Sequence, residues 1–417
     1  MKKRPQSAAN PGETPACAKC GACSAVCPVY RVTGREYHTG RGKLHLLEKL
    51  DPATASAAYA EILSRCLLCG ACSAVCSRKI PVAAQLAAAR AELNRSAGER
   101  ALMRHLVGDL LARPRLLEIL APLARRFNSA PIPADSGLNL RLGLPPQPPA
   151  RPEKPGEPAM ASSTTTPYLF AGCYGTYLDP AIGQAVQSLL GKVGLEPPQR
   201  ATGWGCCGLA AHSAGRLNEA RRLARRNIAA HPGPAPIVVS CASCAAHLSH
   251  YPQLLADDEQ WRPKAEEFAG RIKEFSLFLQ ENSADRPLSP ASGQGPEAGP
   301  RLKILYHDPC HLRFMLPITK PPRELLAALP QIELVELPQG PRCCGHGGLF
   351  NLAHPADAEA ILAELAAECR QSEAEIVTNT CSGCLLHWQK AAARQLVPAR
   401  VLHLAILLDR LTSSRRS

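Results

Sequence analysis

Aromatic residues make up only 4% of the 417-residue chain. Surfaces that stack nucleic-acid bases interleave aromatic with basic side chains, so this scarcity argues against a nucleic-acid partner. No run of about 18 apolar residues occurs, so no membrane-spanning helix is expected. The start, Met1-Lys2-Lys3-Arg4, is basic but has no apolar stretch behind it. A standard secretory signal needs one, and the expected compartment is therefore a reducing cytoplasm. C-x-x-C-H is absent, which excludes covalent haem of the usual kind. No Ser/His/Asp set or carboxylate pair offers an alternative chemistry.

What the chain has in excess is cysteine: 19 residues, with a formal net charge of +13 and 46% hydrophobic composition. The hydrophobic share fits folded domains, and the length fits two or three of them. So many cysteines exceed the needs of an ordinary cytosolic enzyme. In so long a chain they are too sparse for a small disulfide scaffold. In a reducing compartment they are read as thiolate ligands.

The 39 prolines help to divide the chain. Residues 1–128 carry eight cysteines on a mostly helical pattern. Residues 129–166 read as a Pro-rich linker, and 284–300 as a second connector. The blocks 167–283 and 301–417 look like an internal repeat. Each opens with an apolar strand running into a cysteine, PYLFAGC (167–173) and LKILYHDPC (302–310). Each then has 32 residues before a CCG, at Cys206-Cys207-Gly208 and Cys343-Cys344-Gly345. A helical pattern follows, then a strand running into C-x2-C, at Cys241/Cys244 and Cys381/Cys384. The blocks are expected to close on amphipathic helices, IKEFSLFL (272–279) and VLHLAILL (401–408). Alternating strands and helices predict an α/β unit in each block, with the cysteines at the carboxyl ends of strands.

In the first block, Cys17, Cys20, Cys23 and Cys27 are spaced C-x2-C-x2-C-x3-C, and Cys66, Cys69, Cys72 and Cys76 repeat that spacing. This is the two-cluster ferredoxin arrangement, in which the fourth cysteine of each motif reaches the other cluster. Cys17, Cys20, Cys23 and Cys76 are thus expected to hold one [4Fe–4S] cube. Cys66, Cys69, Cys72 and Cys27 are expected to hold the other. Gly21 and Gly70 fall where the backbone must turn close to sulfur. The second motif continues into Ser77 instead of proline, which alters loop shape but no ligand. Zinc would favour two separated C-x2-C pairs. Thirty-eight residues with helical periodicity separate Cys27 from Cys66, so a helical ferredoxin module is expected, like that of succinate dehydrogenase iron–sulfur subunits.

The repeated blocks gather five thiols each. These are Cys173, Cys206, Cys207, Cys241 and Cys244 in one, and Cys310, Cys343, Cys344, Cys381 and Cys384 in the other. Five is one more than zinc or a regular cube requires. The pattern resembles the CCG domain, and its tandem use after two ferredoxin motifs resembles the glycolate oxidase iron–sulfur subunit family. D-lactate dehydrogenase iron–sulfur partners and the cysteine-rich subunits of heterodisulfide reductase are related. The resemblance implies a multidomain α plus α/β protein: a ferredoxin module followed by two homologous CCG repeats. It implies two [4Fe–4S] clusters, with further iron–sulfur clusters or zinc at the CCG sites. It implies a separate FAD subunit that oxidises glycolate to glyoxylate, or D-lactate to pyruvate. The iron–sulfur subunit passes the electrons to a quinone or another acceptor, in the cytoplasm or at the cytoplasmic face of the inner membrane. The alternative is a heterodisulfide-reductase-like subunit whose CCG-bound clusters do the catalysis.

Weaker signals surround these motifs. Gly203-Trp204-Gly205-Cys206-Cys207-Gly208 matches G-x-G-x-x-G but follows no strand, so the glycines are read as room for a cluster. Trp204 is expected to shield its site. His307, His311 and His346 adjoin the cysteines and could tune sulfur through hydrogen bonds, or simply satisfy backbone. Asp179 and Asp308 read as caps or turn residues. Cys369, outside every motif, reads as an inert core residue. Arg216, Arg221, Arg222, Arg225 and Arg226 crowd one helix and suggest a basic face, toward solvent, an acidic subunit or an anionic surface. Each oxidised cube with four thiolates carries roughly −2, so two cubes lower the net charge to about +9.

Overall fold

The computed structural model describes residues 16–51, 56–97, 166–290 and 300–413. Most of the expected linker at 129–166, the boundary at 128 and the centre of the second connector lie outside these residues. Residues 16–51 and 56–97 contain helices and no strand. Thr39 opens the helix Gly40–Lys49 by accepting from the Gly42 amide, and Ser56 opens Ala57–Ser64 by accepting from Tyr59. Leu47, Tyr59 and Leu63 on these helices pack against Leu86, Ala87 and Leu93 of Val82–Ala97, forming one small core.

The first repeat holds a parallel sheet of β1 (Tyr168–Phe170), β2 (Ile237–Val239) and β3 (Ile272–Glu274), in that order. The second holds β4 (Leu302–Tyr306), β5 (Ile332–Val335), β6 (Ile376–Asn379) and β7 (Arg400–His403), in the order β5-β4-β6-β7. An isolated parallel bridge between Tyr168 and Gln199 stands where β5 lies in the second sheet. The two sheets therefore share one topology. β2 is buried on both faces, as parallel strands under helices should be.

The expected closing helices are half strand. Ile272–Glu274 and Arg400–His403 join the sheets as β3 and β7, and the helices begin only at Phe275 and Leu404. Short apolar runs fit either period, and here the unpaired sheet edge takes the first residues. Glu274 and His403 then cap the helices that follow, accepting from Ser276 and Ala405 amides.

The repeats clasp each other reciprocally. The last helix of the second repeat, Leu404–Thr412, lies on Ala181–Lys192 of the first, and Phe275–Glu281 of the first lies on Pro321–Ala327 of the second. Leu189, Leu190, Leu404 and Leu408 are fully buried in the resulting core, each contributing about 1.5–3 kcal/mol by leaving water. This pairing turns the carboxyl ends of β2 and β6, with their C-x2-C loops, toward one another.

Candidate metal centres

In the ferredoxin segment, both motifs read Cys-Gly-Ala-Cys-Ser-Ala-Val-Cys, and both fold alike. Gly21 and Gly70 each adopt φ +82° and start the four-residue helices Ala22–Ala25 and Ala71–Ala74. A Cβ at that φ is strained, so glycine is required. The Lys19 and Leu68 amides donate to the Cys17 and Cys66 sulfurs, both at 3.4 Å.

Two hollows follow. One is bordered by Cys17, Cys20, Cys23, Cys76 and also Cys72. The other is bordered by Cys27, Cys66, Cys69 and Cys72. Cys27 and Cys76 have thus crossed to the opposite motif, and Cys72 stands in the wall between the hollows. Burial pushes the Cys27 thiol up to about 11 and Cys72 higher still.

Lys43 sits against the second hollow. It is 1% exposed, and its ammonium donates to the His38 carbonyl. Burial pulls its pKa down, while the Cys66 and Cys27 sulfurs push it back up. Sequence reasoning missed it, because a lysine in a polar helical pattern gives no sign of facing inward.

The CCG cysteines form two chains of sulfur contacts in the same order. In the first repeat Cys173 meets Cys206, then Cys207, Cys244 and Cys241. In the second, Cys310 meets Cys343, then Cys344, Cys384 and Cys381. Cys344 and Cys384 sulfurs are 3.4 Å apart. Protons distribute unevenly along each chain. Hydrogen bonds from Cys173 and Cys207 hold Cys206 well below the usual thiol range, and those from Cys343 and Cys384 do the same for Cys344.

The sites also touch one another. Cys241 of the first repeat contacts Cys381 of the second. Their loops are laced together: the Ser382 amide donates to the Cys241 sulfur at 3.4 Å, and Ser243 Oγ lies 3.1 Å from the Cys381 sulfur. Cys69 of the ferredoxin segment contacts Cys343. His311 bridges all three parts, with Nδ1 2.8 Å from Ser243 Oγ and Nε2 3.4 Å from the Leu68 carbonyl. None of these junctions can be read from spacing alone.

These residues fit iron–sulfur chemistry. The thiols are mostly buried and have chiefly one another as partners, a costly arrangement for neutral thiols and a good one for thiolates on metal. Backbone amides point at the Cys17, Cys23, Cys66, Cys206 and Cys241 sulfurs. Such donors suit thiolates.

Other expectations resolve variously. Cys369 is buried in the helix Pro355–Gln371, in the core of the second repeat, and burial raises its thiol to about 11. Trp204 meets Phe170 at a tilt, with ring centroids 5.2 Å apart, and packs against the core that holds Cys206 and Cys207. Asp179 lies in the turn before Ala181–Lys192. Asp308 is not a cap. It is buried and forked by Arg323 with bonds of 2.9 and 2.5 Å, because a carboxylate out of water needs a partner charge. The basic helix, Leu217–Ala230, is partly neutralised locally. Arg221, Arg222 and Arg225 pair with Asp257, Glu219 and Asp258, and Arg226 binds the Gly203 carbonyl. His346 packs against His387, 5.8 Å between ring centroids. Sequence reading also missed that both C-x2-C motifs extend to C-x2-C-x2-H, at His247 and His387. Both imidazoles are buried and driven neutral by desolvation.

The profile of the family described as 4Fe-4S dicluster domain matches residues 13–80, and that described as Cysteine-rich domain matches 168–249 and 304–389. Crossed ferredoxin cysteines followed by two interlocked cysteine-rich repeats define an iron–sulfur electron-transfer protein. The chain is 27% identical over 95% of its length to the probable glycolate oxidase iron-sulfur subunit of Bacillus subtilis, covering 94% of that protein. It is 29% identical over 58% of its length to lactate utilization protein A of Geobacillus kaustophilus, covering 97% of it. The chain is thus similar over nearly its whole length to a glycolate oxidase iron–sulfur subunit, and its role is that of an electron-transfer subunit. Among the described residues, no helix is long and apolar enough to cross a membrane.

Proposed function

We propose that the chain is the iron–sulfur subunit of a cytoplasmic glycolate dehydrogenase, with D-lactate as the other candidate substrate, and that a separate FAD subunit carries out the oxidation. The observation that carries this reading is the unbroken adjacency of the four thiol groups. Cys72 joins the two ferredoxin hollows, Cys69 meets Cys343, and Cys381 meets Cys241.

In this reading Cys17, Cys20, Cys23 and Cys76 hold one [4Fe–4S] cube, in a helical ferredoxin module. Cys66, Cys69, Cys72 and Cys27 hold the other. Cys173, Cys206, Cys207, Cys241 and Cys244 hold the first CCG group, and Cys310, Cys343, Cys344, Cys381 and Cys384 the second. Bound clusters supply one-electron acceptor sites. The chain's own residues do the rest. Amides steady the thiolates, Lys43 offsets charge, and the clasped sheets exclude water. A quinone, at the cytoplasmic face of the inner membrane, is the proposed final acceptor. The domains follow the division 1–128, 167–283 and 301–417.

Anaerobic affinity purification of the tagged full chain tests this. The expected result is co-purification of an FAD-containing subunit and at least about eight irons per chain. A chain that brings down no flavoprotein and reduces disulfides by itself contradicts it and favours the heterodisulfide-reductase-like alternative.

A further inference from the structure

The two CCG sites share a topology and an order of sulfurs, yet they differ at a position beside those sulfurs. Three residues before the first cysteine, repeat one has Phe170 and repeat two has His307. Strand register makes these the same place. Phe170 lies opposite Val239, two residues before Cys241. Tyr306 lies opposite Thr378, which sets the next residue, His307, beside Asn379, two before Cys381. The His307 amide donates to the Thr378 carbonyl at 2.9 Å, fixing the backbone there.

The two side chains do different things. Phe170 packs against Trp204 and offers the first site no ligand atom. His307 is 1% exposed, and an edge-to-face contact with Trp388, 5.5 Å between centroids, holds its ring. Both ring nitrogens are buried without a well-formed hydrogen bond, and the polar group the ring does face is the Cys344 thiol. A ligand atom of His307 and the sulfurs of Cys344 and Cys384 all lie within 4.8 Å of one another. A buried imidazole whose polar neighbours are two thiols is poorly satisfied as a neutral ring, and that donor set is what a metal site requires.

We propose that the His307 imidazole is a metal ligand at the second CCG site. That site then binds a borderline transition metal, zinc or an iron of a cluster, through mixed nitrogen and sulfur donors. The first site, lacking an equivalent, binds through thiolates alone. This assignment rests on the reading of the CCG cysteines as ligands. Imidazole is a neutral donor, so it adds a ligand to the second site without adding negative charge to its five thiolates.

The test uses the full chain purified anaerobically, as wild type labelled with ¹⁵N-histidine and as His307→Ala, His307→Cys and Cys384→Ser. Iron and zinc are counted per chain. Pulsed EPR reads nitrogen coupling for an iron site, and zinc-edge X-ray absorption reads imidazole scattering for a zinc site. The ferredoxin cluster signals serve as the folding control. The expected wild type shows one of these imidazole signatures. His307→Ala abolishes it or loses metal from the second site, and His307→Cys keeps the metal without the nitrogen signature. If wild type shows neither signature, or His307→Ala leaves it and the metal count unchanged while Cys384→Ser lowers the count, His307 is not a ligand. If Cys384→Ser also leaves the count unchanged, the ligand reading of the cysteines falls with it.

Discussion

Lys43 is the residue whose burial most changes the account of the ferredoxin segment. Its ammonium stands beside the Cys27, Cys66 and Cys72 sulfurs in a water-poor wall. A cube held there carries roughly −2, and a fixed positive charge favours adding an electron. Lys43→Met keeps the stem and removes the charge. The reduction potential of that cluster should then fall by about 60 mV or more, one decade in a one-electron equilibrium. An EPR-monitored redox titration reads the shift, and an unchanged potential would remove Lys43 from the account. The residue scale is also where sequence reading succeeded most and failed most. The cysteine spacings sufficed to group the thiols, because a cluster demands a fixed local loop. Lys43 and the pairing of Phe170 with His307 escaped, because both depend on what a side chain faces after packing.

Among the elements, the closing strand–helix junctions are the most informative. Glu274 ends β3, caps the following helix, and is 2% exposed. Burial pushes its pKa up from 4.5 to about 7, with the Ser276 hydroxyl and amides pulling back. A carboxyl raised on folding contributes stability below its unfolded pKa that is lost as pH rises through the folded value. The folded protein should therefore lose roughly 3 kcal/mol from this group between pH 4.5 and pH 8. Glu274→Gln keeps a capping oxygen and abolishes the titration. Its melting temperature relative to wild type should climb as pH rises from 5 to 8, and parallel melting curves would refute this. These junctions were only half legible. IKEFSLFL and VLHLAILL show apolar runs, but only the open sheet edge decides that their first residues become strand.

Over the whole molecule, the repeat and the ferredoxin segment were legible as separate blocks, while their junctions were not. Cys69 against Cys343 and Cys241 against Cys381 join residues more than a hundred positions apart, and no local pattern encodes such a meeting. The reciprocal helix pairing places the second contact, and the packing of Pro28–Thr33 on Pro355–Gln371 and of Ala71–Ala74 on Cys310–Met315 places the first, giving the continuity on which the proposed electron route depends. The most direct test is anaerobic addition of glycolate to the co-purified complex, followed by rapid-freeze EPR of this subunit's clusters. The account predicts that cluster signals change at a rate matching flavin reoxidation, and that Cys69→Ser disconnects the ferredoxin signals from those of the CCG sites. Flavin reduction by glycolate with no change in any signal of this chain would contradict it.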